Sequence, residues 1–419
     1  MKLNFFILLA FKITIIFGQI DFESTADDDN GSNQYSNNSI PTSVNEIIYN
    51  DQFKKITGTE KVKNNALILM KNDGQLISYN LHNLKENWNF KFKDSSFLKM
   101  DNRFRIEKSI LYATSSQIEL VALNINDGSL YWKSTIGFRK SDTRSYMIDG
   151  QALPIKDNMI FIASCNSNLY AFNKLTGNFV WNYELQFPYN NFTPVIHDDY
   201  LIIPNAPWVY CFEATSGKPI WQRGFGDKPM YALAQIDTKR AYVADESNKI
   251  YALNLANNAA IEWEYQTDYD YAAIKENTIL EKDIYYFAAK TGREKSPSII
   301  ALNSKNGEQL WKIALDNGGN EVDIFNKFEN YILGCTNAKD NFFYLVDITV
   351  GKQLKIEAPK EKPISNIVKI DNENVAFLTN NYFVTFNLKN KTFLYKDFKN
   401  VYKKDDSNSV YIQIVKANL

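Results

Sequence analysis

The chain repeats one short pattern eight times along its 419 residues. Each copy combines a stretch of alternating side chains, a turn rich in Asn, Asp, Thr and Gly, and an anchor residue that is tryptophan in six copies. The anchors stand 40 to 49 residues apart, at positions 88, 132, 181, 221, 263, 311, 355 and 395. A period in the forties with strand-like content is typical of a β-propeller. The repeat therefore predicts an all-β, eight-bladed β-propeller.

Each copy supplies the strands of one blade. In LYAFNKLTGNFVW (169–181), the side chains before the turn alternate across a pleated strand, and the tryptophan follows on the next, outer strand. A short apolar stretch such as MIFIA (159–163) precedes each copy. With one further strand in the connecting segments, the pattern predicts four-stranded antiparallel blades. In five copies a glycine stands four residues before the anchor, where a tight hairpin requires positive φ: Gly128, Gly177, Gly217, Gly307 and Gly351.

The tryptophans are interpreted as structural anchors between blades. One blade buries too little apolar surface to be stable alone, so stability must come from stacking blade on blade. Tryptophan suits this role because its side chain buries a large area. The six predicted anchors are Trp88, Trp132, Trp181, Trp221, Trp263 and Trp311.

The ring also requires its two ends to be joined. SVYIQIVKA (409–417) alternates cleanly and follows the eighth anchor. It is expected to close the ring by pairing either with the first blade or with EIIYNDQF (46–53).

The N-terminal residues differ in composition from the repeats. Residues 1–18 place a lysine before an apolar run that ends near Gly18, which predicts a secretory signal peptide. Lys12 interrupts that run, and an uncleaved anchor is the alternative. Residues 19–45 are rich in Ser, Asn and Asp and predict a flexible acidic linker. Residues 46–419 are assigned to the propeller.

Composition argues against several classes of function. The formal net charge is −1 and the pI is about 6.3, which supplies no strongly basic surface for nucleic acid. The chain has two histidines and three cysteines, so most metal sites and most histidine-dependent catalysis lack the residues they need. The sequence therefore predicts no catalytic, metal-binding or cofactor-binding residues. Cys211 stands where other copies have alanine, which predicts a small buried side chain.

The repeat resembles the pyrroloquinoline-quinone-type propeller repeat over residues 60–416. The segment 192–254, which contains VYCFEATSGKPIW, is similar to the BamB family. Members of that family are periplasmic subunits of the machinery that assembles outer-membrane β-barrels. The resemblance implies a non-catalytic scaffold that docks to a BamA-like barrel protein at the inner face of the outer membrane, and that contacts unfolded barrel substrates. Family members usually carry a lipidated cysteine directly after the signal, whereas Gln19 stands here, so we expect the lipid anchor to be absent or replaced.

The same resemblance indicates which loops bind the partner. BamB proteins contact BamA through loops on one face, and the matching loops here are SYMIDGQALP (145–154) and PYNNFTPV (188–195). Apolar and aromatic side chains on exposed loops favour an interface. The alternative for each residue is packing at the channel mouth. The candidate partner-binding residues are Tyr146, Met147, Ile148, Asp149, Tyr189, Asn190 and Phe192.

Two other functions fit the same fold. Quinoprotein dehydrogenases resemble this repeat and hold their quinone and a calcium ion in the central funnel, but the disulfide between adjacent cysteines found in alcohol dehydrogenases of the group has no counterpart here. A secreted or luminal eukaryotic propeller is the second alternative, since four tripeptides match the N-glycosylation pattern at Asn30, Asn37, Asn191 and Asn390.

Overall fold

The architecture is all-β. The structure is a computed structural model that describes residues 47–57, 60–71, 74–92, 104–114, 119–137, 153–163, 168–186, 194–230, 234–247, 249–267, 278–289, 296–315, 322–336, 342–398 and 410–417. Its strands form eight antiparallel sheets, seven with four strands and one with five. The eight-bladed propeller predicted from the repeat is confirmed.

The strands of the first four blades follow one another along the chain. The chain first forms β1 (Ile47–Gln52), and blade 1 then contributes β2 (Ala66–Lys71), β3 (Gln75–Asn80) and β4 (Glu86–Lys91). Blade 2 consists of β5 (Phe104–Glu107), β6 (Ile110–Thr114), β7 (Glu119–Asn124) and β8 (Leu130–Gly137). Blade 3 consists of β9 (Ile155–Lys156), β10 (Met159–Ala163), β11 (Asn168–Asn173) and β12 (Phe179–Glu184). Blade 4 consists of β13 (Val195–His197), β14 (Tyr200–Asn205), β15 (Trp208–Glu213) and β16 (Pro219–Gly224).

The remaining four blades repeat this order. Blade 5 consists of β17 (Gln235–Ile236), β18 (Arg240–Ala244), β19 (Lys249–Asn254) and β20 (Ile261–Gln266). Blade 6 consists of β21 (Thr278–Glu281), β22 (Ile284–Ala289), β23 (Ser298–Asn303) and β24 (Gln309–Ala314). Blade 7 consists of β25 (Val322–Phe328), β26 (Tyr331–Thr336), β27 (Phe343–Asp347) and β28 (Lys352–Leu354). Blade 8 consists of β29 (Val368–Lys369), β30 (Asn374–Leu378), β31 (Tyr382–Asn387) and β32 (Thr392–Asp397), and the last strand is β33 (Val410–Val415).

In blades 2 to 8 the first strand lies nearest the ring axis, and in blade 1 this place is taken by β33. Inner strands of neighbouring blades contact one another, as β13 does with β17, β17 with β21, and β29 with β33. Because successive strands are antiparallel, their ends alternate between two faces of the ring. We call the face where outer strands end and the next inner strands begin the connection face. The opposite face, with the turns between first and second strands and between third and fourth strands, is the turn face.

The C-terminal strand closes the ring. β33 pairs antiparallel with β2 from Val410 opposite Lys71 to Val415 opposite Ala66, so it becomes the inner strand of blade 1. Of the two expected pairings, that with the first blade is confirmed. The alternative pairing with residues 46–53 is wrong, because β1 instead pairs with β8 and adds a fifth, outermost strand to blade 2.

The hydrophobic core lies between the blades. One buried cluster joins Ile68 of blade 1 to Leu111 of blade 2, and the other blade pairs are joined in the same way. Five indoles donate hydrogen bonds to main-chain oxygens of the next blade: Trp88 to Ile125 (2.9 Å), Trp132 to Lys174 (3.1 Å), Trp181 to Ala214 (3.3 Å), Trp221 to Leu255 (3.1 Å) and Trp263 to Ser304 (2.9 Å).

The turns of neighbouring blades are shaped to receive these indoles. At Gly128, with φ +69°, an added Cβ would lie 2.7 Å from the indole of Trp88. The half-buried Trp311 lies against Gly351 in the same way. In blades 1 to 6 a register shift accompanies the anchor, and in blade 3 this β-bulge leaves Val180 between the paired residues Phe179 and Trp181.

Candidate partner-binding face

One of the two predicted partner loops precedes blade 3 in the chain, and the other follows it. The first runs between the end of β8 at Gly137 and the start of β9 at Ile155, and the second between β12 and the start of β13 at Val195. Both connections belong to the connection face. The seven candidate residues Tyr146, Met147, Ile148, Asp149, Tyr189, Asn190 and Phe192 lie outside the described residues. Their role in binding a partner stays a prediction.

The described residues at the ends of these loops are firmly held. Leu153 is buried against the core between blades 2 and 3, and the main-chain oxygen of Pro154 accepts a hydrogen bond from the amide of Phe161 at 3.0 Å. Leu185 is buried between blades 3 and 4, and the amide of Gln186 donates to the Tyr210 hydroxyl at 3.4 Å. The first loop therefore ends, and the second begins, at a well-packed position of the ring.

The first described strand, β1, begins at the same face. β1 runs antiparallel to β8, with Ile47 opposite Gly137, the residue that directly precedes the first loop connection. β1 therefore begins at the connection face, on the outer edge of blade 2. Sequence reasoning missed this placement, because pairing along an exposed sheet edge leaves no repeat in the sequence.

After β1, the chain is fastened across the turn face of blade 2. Glu60 accepts hydrogen bonds from the Asn124 amide nitrogen at 2.8 Å and from the Tyr131 hydroxyl. The ammonium of Lys54 lies 5.3 Å from the centre of the Tyr131 ring. Tyr131 is only 1% exposed, and burial followed by the hydrogen bond to Glu60 raises the pKa of its hydroxyl. Lys54 and Glu60 thus cover a position that is exposed in neighbouring blades, at Asn87 and Val180.

The turn face carries paired charges from neighbouring blades. The ion pairs are Lys174 with Glu107 (2.7 Å), Lys156 with Asp199 (2.9 Å), Lys327 with Glu281 (2.7 Å) and Lys369 with Glu329 (2.6 Å). Hydrogen bonding and attraction to Asp199 raise the pKa of Lys156, and the ammonium of Lys369 lowers the pKa of Glu329. These charges link one blade to the next, which favours a structural role.

Side-chain amides link the inner strands around the axis. The amide of Gln235 in blade 5 donates to the Thr278 hydroxyl in blade 6 at 3.1 Å. The side-chain amide of Gln413 in β33 donates to the main-chain oxygen of Phe104 at 3.2 Å. The side-chain oxygen of Asn366 accepts from the main-chain amide of Ile412 at 2.8 Å. The closing strand is therefore joined to both neighbouring blades.

The residues with reactive side chains are dispersed. No group of three His, Cys, Asp or Glu residues able to hold a metal ion occurs in the described part of the chain. Cys211 and Cys335 are buried, and burial raises the pKa of the Cys211 thiol. His82 lines an open depression of about 400 Å³ with Asn64, Asn65, Asn80 and Leu81, and the His197 Nε2 atom lies 3.5 Å from the Asp198 carboxylate. Within the described ranges there is no helix long and apolar enough to span a membrane.

Comparison with known proteins identifies the family. The family model described as outer membrane protein assembly factor BamB matches residues 46–188 and 165–330. The chain belongs to the BamB family. The matches extend from β1 through blade 6 and include both loop connections. An uncharacterised protein of Rickettsia conorii is 24% identical over 237 residues, which span 55% of this chain and 56% of that relative.

Solved structures share the fold. BamB from Moraxella catarrhalis aligns with a TM-score of 0.54 and 14% identity, over 79% of this chain and 95% of BamB. The dihydro-heme d1 dehydrogenase NirN, in complex with DHE, aligns with a TM-score of 0.62 and 10% identity, over 83% of this chain and 78% of NirN. Because proteins of different function share this architecture, these likenesses show the fold alone.

Proposed function

We propose that the chain is a non-catalytic periplasmic scaffold that docks to a BamA-like barrel protein and assists insertion of β-barrels into the outer membrane. The observation that carries the proposal is the match to the BamB family across β1 and blades 1 to 6. In this proposal residues 1–18 are a signal peptide, residues 19–45 a flexible tether, and residues 46–419 the propeller. The protein binds no cofactor and stays near the membrane through its N-terminus or its partner.

The geometry of blade 3 supports the location of the docking site. β8 and β12 both end at the connection face, and β1 begins there on the outer edge of blade 2. A tether and a docking surface on one face allow both to act on the same membrane-bound partner, which raises the effective concentration of the second contact. The proposed docking residues are the seven on the two loops.

The double substitution Met147→Asp with Ile148→Asp tests this surface. We expect recovery of the barrel protein with the tagged chain to fall by about tenfold, because two apolar contacts are replaced by carboxylates that must be desolvated on binding. Recovery is measured by quantitative mass spectrometry after mild-detergent purification from the native host.

The matched control is Val350→Asp with Leu394→Asp, which changes two residues that are 68% and 71% exposed outside blade 3. Circular dichroism checks that both double variants fold. We expect the control to recover the barrel protein like the wild type. Equal recovery with the loop variant would remove this surface as the docking site.

A further inference from the structure

One position of the repeated blade places a side-chain amide at the turn face. The position is the last residue of the third strand, which lies opposite the first residue of the second strand, as Asn80 lies opposite Ala66. The side-chain oxygen of Asn80 accepts main-chain hydrogen bonds from His82 at 2.9 Å and from Asn83 at 3.1 Å. Because the turn uses the oxygen, the nitrogen is the end of the amide that can donate to another group. Asparagine holds this position in six of the eight blades, as Asn80, Asn124, Asn173, Asn254, Asn303 and Asn387.

In three other blades the nitrogen at this position donates to a side-chain oxygen. Asn124 of blade 2 donates to the carboxylate of Glu60 at 2.8 Å. Asn254 of blade 5 donates to the carboxylate of Glu262, and Asn387 of blade 8 donates to the side-chain oxygen of Asn374 at 3.0 Å. The repeat therefore shows which acceptor suits this amide, and in blades 2 and 5 the acceptor is a carboxylate.

In blade 2 the acceptor is part of an extended segment. We call residues 60–63 the strap. Besides the contact of Glu60 with Asn124, the side-chain nitrogen of Asn126 donates to the main-chain oxygen of Lys61 at 3.0 Å. The side-chain oxygen of Asn126 accepts from the amide of Lys63 at 2.9 Å. The strap thus shows how an extended segment that carries a carboxylate lies on the turn face of a blade.

The equivalent place on blade 1 is the open depression of about 400 Å³. The backbone is the same in both blades, because the amide of Leu81 donates to the main-chain oxygen of Asn65 at 3.1 Å and that of Ile125 to Ser109 at 2.9 Å. Within the described ranges no residue accepts a hydrogen bond from the Asn80 side-chain nitrogen. The residues that line the depression are Asn64, Asn65, Asn80, Leu81 and His82.

Exposed lysines surround the depression. Lys63 directly precedes the first lining asparagine, and Lys85 ends the turn of blade 1. The ammonium of Lys396 in blade 8 donates to the main-chain oxygen of His82, which lines the depression. Two exposed carboxylates follow lysines here, those of Glu86 and Asp397. The three lysines leave an excess of positive charge, which favours an anionic ligand.

We propose that the depression on the turn face of blade 1 binds an acidic segment of a partner polypeptide. A carboxylate of that segment accepts a hydrogen bond from the Asn80 side chain, as Glu60 does from Asn124 in blade 2. The main chain of the segment lies along His82, as the strap lies along Asn126. The site goes beyond the proposed function, because the proposed docking loops belong to the connection face on the opposite side of the ring.

Peptide binding to the full chain tests the proposal. The probe is a short fluorescein-labelled peptide in which glutamate alternates with threonine or valine, and a second peptide has glutamine in place of every glutamate. Binding is measured by fluorescence anisotropy. We expect the glutamine peptide to bind at least about tenfold more weakly, because a hydrogen bond to a neutral amide lacks the charge of a carboxylate. Binding of the glutamate peptide is expected to weaken as salt is added, since exposed charges are screened.

Asn80→Asp locates the site. The variant keeps an oxygen for the turn amides and replaces the nitrogen with a second oxygen, which repels a carboxylate. The turn tolerates aspartate, since Asp347 holds this position in blade 7 and accepts from the amide of Thr349 at 2.9 Å. We expect Asn80→Asp to weaken binding of the glutamate peptide at least about tenfold.

The matched control is Asn303→Asp, at the same position of blade 6. The Asn303 side-chain oxygen also accepts a main-chain amide of its turn, that of Lys305 at 2.9 Å, so the two variants change the protein in the same way. We expect the control to bind the glutamate peptide within about twofold of the wild type. Urea unfolding checks the stability of both variants.

The proposal is overturned if the wild type does not bind the glutamate peptide, if the two peptides bind equally, or if Asn80→Asp binds like the wild type. Equal losses in Asn80→Asp and Asn303→Asp would also overturn it, because the added charge and not its place would then decide binding. Should Asn80→Asp fail to fold, Lys85→Glu makes the same test at an exposed position of the turn. We expect it to weaken binding at least about threefold, and unchanged binding would overturn the proposal.

Discussion

The substitution Ile412→Asp is expected to lower the free energy of unfolding by at least about 3 kcal/mol, because it removes a buried aliphatic side chain and places a carboxyl group in an apolar cluster. Ile412 lies on β33, has no exposed surface, and packs with Leu67, Leu69 and Leu378. These neighbours come from blades 1 and 8, the two that the closing strand joins. Urea unfolding followed by tryptophan fluorescence measures the loss.

The control for this prediction is Lys416→Asp. Lys416 is exposed just after the same strand, so its substitution adds the same carboxyl group outside the core. We expect its free energy of unfolding to stay within about 0.5 kcal/mol of the wild type. If Ile412→Asp were as stable as this control, closure of the ring by β33 would be contradicted.

The substitution Gly128→Ala is expected to destabilise the protein by about 2 to 4 kcal/mol, combining the cost of positive φ with that of overpacking. At φ +69° alanine is strained, and its Cβ would lie 2.7 Å from two ring carbons of Trp88. The same indole donates a hydrogen bond to the main-chain oxygen of Ile125, so it cannot move away without weakening that contact.

Gly226→Ala separates the two contributions. Gly226 has φ +68°, yet no atom lies within 4 Å of an added Cβ. Its substitution is therefore expected to cost about 1 to 2 kcal/mol, from backbone strain alone. Urea unfolding compares the two variants. Equal losses would show that the contact between Gly128 and the indole contributes nothing to the joint between blades 1 and 2.

The fold was predictable because the same local pattern recurs in every blade. The alternation before each turn, the glycine and the tryptophan all describe contacts within a blade or to the next one, so eight copies specify eight similar joints. Blades 7 and 8 have no tryptophan at the anchor position, but they were predictable because their anchors keep the same spacing as those of the other blades. Cys211 could be assigned to the core because it occupies the alanine position of other copies, and it is fully buried.

The pairing at the outer edge of blade 2 and the closure of the ring were less predictable. β33 and β1 both alternate, and pairing between distant segments is set by which edge is free rather than by a local signal. The sequence therefore left two pairings open for residues 409–417, and the placement of β1 on β8 was not anticipated. The candidate partner residues came from a resemblance between loops, and loops take their conformation from context.

The function that we propose for this propeller is that of a BamB-family scaffold that works beside a barrel protein of the outer membrane. Its most direct test is mild-detergent affinity purification of the tagged wild-type chain from its own host, with mass spectrometry of all proteins that co-elute. We expect a BamA-like barrel protein among the most abundant of them. Recovery of the chain without such a partner would contradict the claim.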